Sequence, residues 1–118
     1  MKVIRSAYPN QPIRVGIHES RRIRVIVLHE IMYCEANRNY TFVHLADGTK
    51  CVTCRNIAIV RSLLEPEGFV SIHKSYLVNG AYIKMLTTEH DAMVVLTNNK
   101  KLKIARRMKS VLLKSFFS

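Results

Sequence analysis

Three short stretches of this sequence carry side chains suited to reading a nucleic acid: Asn37-Arg38-Asn39-Tyr40, Ile72-His73-Lys74-Ser75 and Ile104-Ala105-Arg106-Arg107. Each places Arg, Lys, Asn or His where an apolar run stops. Arg and Lys hydrogen-bond to guanine O6 and N7, and Asn pairs with the edge of adenine, so such groups on loops can read bases from a groove. Taken singly, each stretch also reads as an ordinary solvated turn.

Other chemistries are poorly served. Cys51-x-x-Cys54, with Cys34 and His44 as conceivable partners, is one pair where a zinc ribbon wants two. An odd offset of three also sends the two thiols to opposite faces of a strand. A thioredoxin-like redox pair would need a βαβ context that is absent from the pattern. Three cysteines, odd in number, suit reduced thiols. The carboxylates are scattered, there is no Gly-rich phosphate loop, and His73-Lys74-Ser75 are neighbours in sequence rather than a triad in space. The reading is therefore of a protein that is not an enzyme, with no metal, no cofactor and no small-molecule substrate. His18, His29, His44 and His90 read as strand or loop residues. Tyr33, Tyr40, Phe42, Tyr76 and Tyr82 could form a stacking platform for single-stranded bases, but each alternates with other hydrophobes, which is the pattern of core packing.

The charge balance points to a polyanion. The 118 residues hold 19 Lys+Arg against 8 Asp+Glu, a formal net charge of +11. Near the start, Lys2, Arg5, Arg14, Arg21, Arg22 and Arg24 face only Glu19. From residue 92 onward Lys100, Lys101, Lys103, Arg106, Arg107, Lys109 and Lys114 meet no acid at all, while the middle of the chain is nearly neutral. Two basic segments around a neutral scaffold is the distribution expected of a surface that meets nucleic acid. The longest unbroken apolar run, Ala92-Met93-Val94-Val95-Leu96, falls far short of the roughly 20 residues of a spanning helix. Nothing at the start has the apolar core of a signal peptide, so the expected location is cytoplasmic with no membrane partner.

The elements that must position the three stretches are mostly strands. Hydrophobic residues make up 48%, an ordinary share for a packed domain, and the length suits one. Residues 1–12 read as a loose tail or an edge strand, and 13–118 as the domain. Ile13, Val15 and Ile17, then Ile23, Val25 and Val27, alternate with period two. Ile31 to Glu35 and Tyr40 to Leu45 form a hairpin around Ala36-Asn37-Arg38-Asn39, and Asp47-Gly48 predicts a type I′ turn into Lys50 to Thr53, giving a three-stranded meander. Ile57, Val60 and Leu64 have helical spacing, stopped by Glu65-Pro66-Glu67-Gly68. Four short β-like segments follow, Phe69 to Ile72, Tyr76 to Val78, Tyr82 to Leu86 and Ala92 to Leu96. Asn98-Asn99 then turns into Lys101 to Ile104, and Ala105, Met108, Leu112 and Phe116 line one face of a C-terminal helix. The sum is a mainly β domain of short antiparallel strands.

The run Ile31-Met32-Tyr33-Cys34-Glu35-Ala36-Asn37-Arg38-Asn39-Tyr40-Thr41, then Leu45-Ala46-Asp47-Gly48, then Phe69-Val70-Ser71-Ile72-His73-Lys74-Ser75-Tyr76-Leu77-Val78-Asn79 resembles the LytTR family of bacterial DNA-binding domains. Leu102 to Arg107 resembles the family's closing strand and basic pair before a helix. The similarity covers residues 13 to 115. It implies an elongated sandwich of about ten short strands in three small antiparallel sheets, with one short amphipathic helix and a short C-terminal helix. It further implies a transcriptional regulator whose loops, rather than a recognition helix, enter successive major grooves of double-stranded DNA, with two copies on a direct repeat.

By position, the resemblance assigns base contacts to Asn39, Lys74 and Arg106. Arg38, His73, Ser75 and Arg107 would contact phosphates or hold the loops, and the basic tail adds Lys101. Phosphate contacts of this kind set register without carrying sequence information. Ala105 stands where the family commonly has serine. Family members usually carry a receiver or membrane domain ahead of this module, so the chain reads either as a free-standing regulator or as a piece of a larger one. Two other readings remain: a single-stranded nucleic-acid binder, which would expose the aromatics, and a protein-interaction module that docks an acidic partner on its basic surface.

Overall fold

Alternating apolar residues become strands along most of this chain. The computed structural model describes residues 1–117, the last by backbone alone. Its strands are β1 (Lys2–Ile4), β2 (Arg14–His18), β3 (Ile23–Val27), β4 (Ile31–Asn37), β5 (Tyr40–Leu45), β6 (Lys50–Thr53), β7 (Phe69–His73), β8 (Tyr76–Asn79), β9 (Ile83–Thr87), β10 (Met93–Leu96) and β11 (Lys101–Lys103). Two α-helices accompany them, α1 (Ile57–Leu64) and α2 (Arg106–Phe117). The strands form three antiparallel sheets in the orders β1-β2-β3, β6-β5-β4-β8-β7 and β11-β10-β9. The molecule measures 43 × 35 × 24 Å. The expected fold is present, and the meander β4-β5-β6 grows to five strands because β8 adds to the far side of β4.

The five-stranded sheet is the middle layer. On one side Val15, Ile17 and Ile26 of the first sheet and Val60 and Leu64 of α1 meet Cys34, Val43, Cys51 and Leu77. On the other, Val94, Leu96, Leu102 and Leu112 cover Met32, Ile72 and Val78. Two apolar cores on opposite faces of one sheet make that sheet the rigid element from which loops project. β1 pairs with β2 along an edge, and Met1 is buried in the first core.

Asn56 caps α1, its side-chain oxygen accepting the Ile59 N–H at 3.0 Å. The helix ends at Glu65-Pro66-Glu67, where Gly68 takes φ +92°, a left-handed position that glycine fills without steric cost. Phe116, at the far end of the helical face, is only partly covered. It is 46% exposed and lies against Ile83 and Met85 in a shallow groove on β9, while Leu112 alone of that face is fully covered.

Two turns differ from the sequence reading. At Asp47-Gly48 only Gly48 has positive φ, which excludes type I′. The Gly48 N–H donates to the Leu45 carbonyl at 3.0 Å and the Leu45 N–H to Thr49 at 2.8 Å, closing a three-residue loop that needs a left-handed residue only at its third position. Leu96 to Lys100 repeats the form with Asn99 at φ +71°. In the first hairpin the strands pair out to Asn37 and Tyr40, so the turn shrinks to Arg38-Asn39.

Candidate nucleic-acid interface

The three polar stretches meet at one end of the middle sheet, along the edge formed by its strand ends. β4 pairs with β8, and beyond that pairing the Ala36 N–H donates to the Ser75 carbonyl at 2.8 Å, joining the β4–β5 hairpin to the β7–β8 turn. The Ala105 N–H donates to the Ile72 carbonyl, also at 2.8 Å, joining the β11–α2 junction to the same turn from its other side. A bulge makes the second link possible: the β7–β8 ladder runs from Ser71–Leu77 to His73–Tyr76 and skips Ile72. Bulges re-aim side chains and end pairing beside functional sites. Here Ile72 drops into the core and His73 turns outward at the sheet's end.

Asn39 sits at the hairpin tip, next to Arg38, whose φ of +57° lies in the left-handed region. That conformation costs a residue with a Cβ roughly 1–2 kcal/mol, and such strain clusters where a loop serves a purpose. Lys74 is exposed at the apex of its turn. Beside it His73 Nδ1 accepts the Ser75 N–H at 3.1 Å, so that nitrogen carries no hydrogen and any ring N–H lies on Nε2. Ser75 is thus tied through its backbone on both sides. Arg106 lines a depression of about 490 Å³ with His73, His90, Asp91, Lys103 and Lys109. Arg107 turns instead toward Lys74, and both line a second depression of about 340 Å³ with Arg61, Glu65 and Ser71.

Of the sequence-predicted residues, Arg38, Asn39, His73, Lys74, Ser75, Arg106 and Arg107 share this edge. Lys101 does not. It begins β11, next to the loop through Asn99, at the strand's opposite end from the junction. Lys103 and Lys109, which line the depression around Arg106, were not singled out in the sequence; a count of cations in the tail does not say which of them face the junction.

Arg61, from the nearly neutral middle of the chain, also arrives here, whereas Arg55 has its guanidinium near the Met1 amino group and His18 of the first sheet. Arg55 follows the end of β6, its carbonyl accepting the hydroxyl of buried Thr41 at 2.9 Å and its N–H meeting Thr53 Oγ1 at 3.3 Å. Arg61 reaches from α1 to the β7–β8 turn, with Nε donating to Ser71 Oγ at 2.8 Å and Nη2 to the Lys74 carbonyl at 3.3 Å. The only sequence signal was a cation just before the helical run for Arg55 and one inside it for Arg61.

The aromatic residues are taken up by the scaffold. Tyr33 is buried and stacks on His44 with centroids 4.2 Å apart, His44 Nε2 bonds Glu35 Oε1 at 2.9 Å, Lys50 lies over Phe42, and the Tyr82 hydroxyl donates to the His29 carbonyl at 2.6 Å. Of the five aromatics weighed as a platform, Tyr40 alone is exposed, at 52%. Cys34 and Cys51 are buried two strands apart, on either side of Val43. Burial pushes both thiols up from their ordinary range, which keeps them protonated and unreactive. Cys54 is exposed beyond β6. Among the described residues no cluster of three or more His, Cys, Asp or Glu could hold a metal, and no helix is long and apolar enough to cross a membrane.

This fold has a known counterpart. It matches, with a TM-score of 0.74 at 18% identity, the LytTr DNA-binding domain of a methyl-accepting/DNA response regulator from Bacillus cereus, over 92% of this chain and 100% of that one. No curated protein matches the sequence. Residues 21–116 match the family model described as the LytTr DNA-binding domain. That match spans all three loops and most of the chain, so the protein belongs to the LytTR family of DNA-binding domains.

Proposed function

We propose that this domain is a sequence-specific regulator of transcription that binds double-stranded DNA and reads major-groove base edges through its three loops. Asn39, Lys74 and Arg106 make the base contacts. Arg38, His73, Ser75 and Arg107 hold the loops or neutralise phosphates, and Lys103 and Lys109 extend the cationic surface along the same edge. Lys101 contacts a phosphate farther along the duplex. Two copies occupy a direct repeat, and the domain acts by occupancy, without catalysis.

The observation that carries this reading is the convergence of the three loops on one sheet edge, held by the Ala36–Ser75 and Ala105–Ile72 bonds. Loops fixed at both ends by a rigid sheet keep the order that base recognition needs, and the cations around them supply the salt-dependent attraction. The single-stranded reading is disfavoured because of the five aromatics only Tyr40 is exposed, while Tyr33 is buried and Phe42, Tyr76 and Tyr82 are half-buried.

The test is selection of bound duplexes from a random pool. The expected product is one motif occurring twice in the same orientation, bound more tightly than either separated strand. Recovery of no motif, or stronger binding of the single strand, overturns the reading. Binding that survives nuclease treatment and requires an acidic protein replaces it with the interaction-module alternative.

A further inference from the structure

The turn that carries Lys74 is gripped from a second direction, by α1. Arg61 leaves the flank of that helix half-buried. One nitrogen of its guanidinium donates to Ser71 Oγ on β7 at 2.8 Å and another to the carbonyl of Lys74 at 3.3 Å. The Ser71 hydroxyl in turn donates to Glu65 Oε2 at 3.4 Å, just past the end of the helix. The helix is a firm post, since Val60 and Leu64 are fully buried and its first turn is capped by Asn56.

The acceptor on Lys74 is its backbone, not its side chain. A bond there fixes the path of the turn and leaves the ammonium exposed to solvent. A planar guanidinium holds two acceptors in one fixed geometry, which a lysine ammonium on a flexible stem does not. With the Ser75 N–H on His73 Nδ1 and the Ser75 carbonyl on Ala36, the turn is held from α1, from β4 and from within.

We infer that Arg61 is a positioning residue for DNA recognition: through Ser71 and the Lys74 carbonyl it sets the β7–β8 turn in its reading conformation, and it does not itself touch DNA. The consequence for recognition rests on the function proposed above; the clamp rests on the geometry alone.

The experiment uses the full chain as wild type, Arg61→Lys, Arg61→Ala, Ser71→Ala and the double variant Arg61→Ala/Ser71→Ala. Without DNA, amide hydrogen exchange at Ser75 should quicken about tenfold in Arg61→Ala, because a local opening is no longer opposed by charge-assisted bonds. With DNA, the ratio of affinities for the selected and a random duplex should fall about tenfold while the salt slope stays at the wild-type value. Ser71→Ala should produce part of the same loss, Arg61→Lys should restore part of it, and the two alanine changes should combine to less than their product, as expected of one network.

Equal weakening on both duplexes with a salt slope lower by about one makes Arg61 a phosphate contact and overturns the inference. Unchanged exchange and an unchanged ratio overturn it as well. If Arg61→Ala does not fold, Arg61→Lys and Ser71→Ala decide the question by the same two readouts. If the wild type selects no duplex, the proposed function fails, while the exchange measurement still judges the clamp.

Discussion

The backbone N–H of Ala105 and the carbonyl of Ile72 form a 2.8 Å hydrogen bond across 33 positions of sequence. One partner opens the junction before α2, and the other is the residue that the bulge of β7 removes from its ladder. The bond uses backbone atoms only, so alanine serves at position 105 where the resemblance expected serine. It also places Arg106 one residue from an anchored point, which bears directly on what that side chain does.

Arg106→Ala should lose about 1–3 kcal/mol of affinity for the selected duplex and relax preference at one base position. Competition binding against a panel of duplexes, each with one base pair changed, checks this. Equal loss on selected and random duplexes would demote Arg106 to a phosphate contact.

Lys103→Ala and Lys101→Ala should each weaken binding to every duplex and reduce the salt slope by about one. Because Lys103 lines the depression around Arg106 and Lys101 begins the strand away from it, shortening the duplex at one end should abolish the Lys101 effect first. Affinity measured over a salt series on full-length and trimmed duplexes is the check, and a slope that stays constant in both variants counts against phosphate contact.

Asn79, part of the family-like motif, is a structural residue. It is buried, donates from Nδ2 to the Ile31 carbonyl at 2.9 Å and accepts the Ala81 N–H at 3.1 Å. Asn79→Ala strands both backbone groups and should cost about 1–3 kcal/mol of stability, read from urea unfolding, with the folded fraction binding DNA as before. A variant of wild-type stability that no longer binds would refute this assignment.

Acid should weaken the first sheet at the β2–β3 turn. Hydrogen bonds from Arg22, then from Arg24, hold the Glu19 carboxyl below its ordinary range. A depressed carboxylate is ionised more readily in the folded chain than in the unfolded one. Its contribution is therefore present above the unfolded value of about 4.3 and lost as pH falls through the lower folded value. Glu19→Gln should be slightly less stable than wild type at neutral pH, and the gap should close in acid. Urea midpoints taken from neutral pH to about 3 test it, and a gap independent of pH rules it out.

Much of the architecture was legible because period two, turn dipeptides and helix stops are local signals. Strands such as β2, β5 and β10 and the start of α1 follow from the spacing of their own apolar residues. The form of the turn around Asp47-Gly48 was misread, and the surface that Phe116 meets was not legible, for one reason. The number of residues a loop closes over, and the surface a helix end meets, depend on partners distant in sequence.

What the chain's residues determined alone was a basic, mainly β domain with three polar stretches fit to read bases, because side-chain chemistry and periodicity are written residue by residue. Only the tertiary structure decided that those stretches share an edge, that Arg61 from the neutral middle joins them, and that Lys103 and Lys109 line the depression around Arg106 while Lys101 stands apart. Such proximity comes from strand order and from one bulge at Ile72, and long-range pairing leaves no mark on the spacing of neighbours.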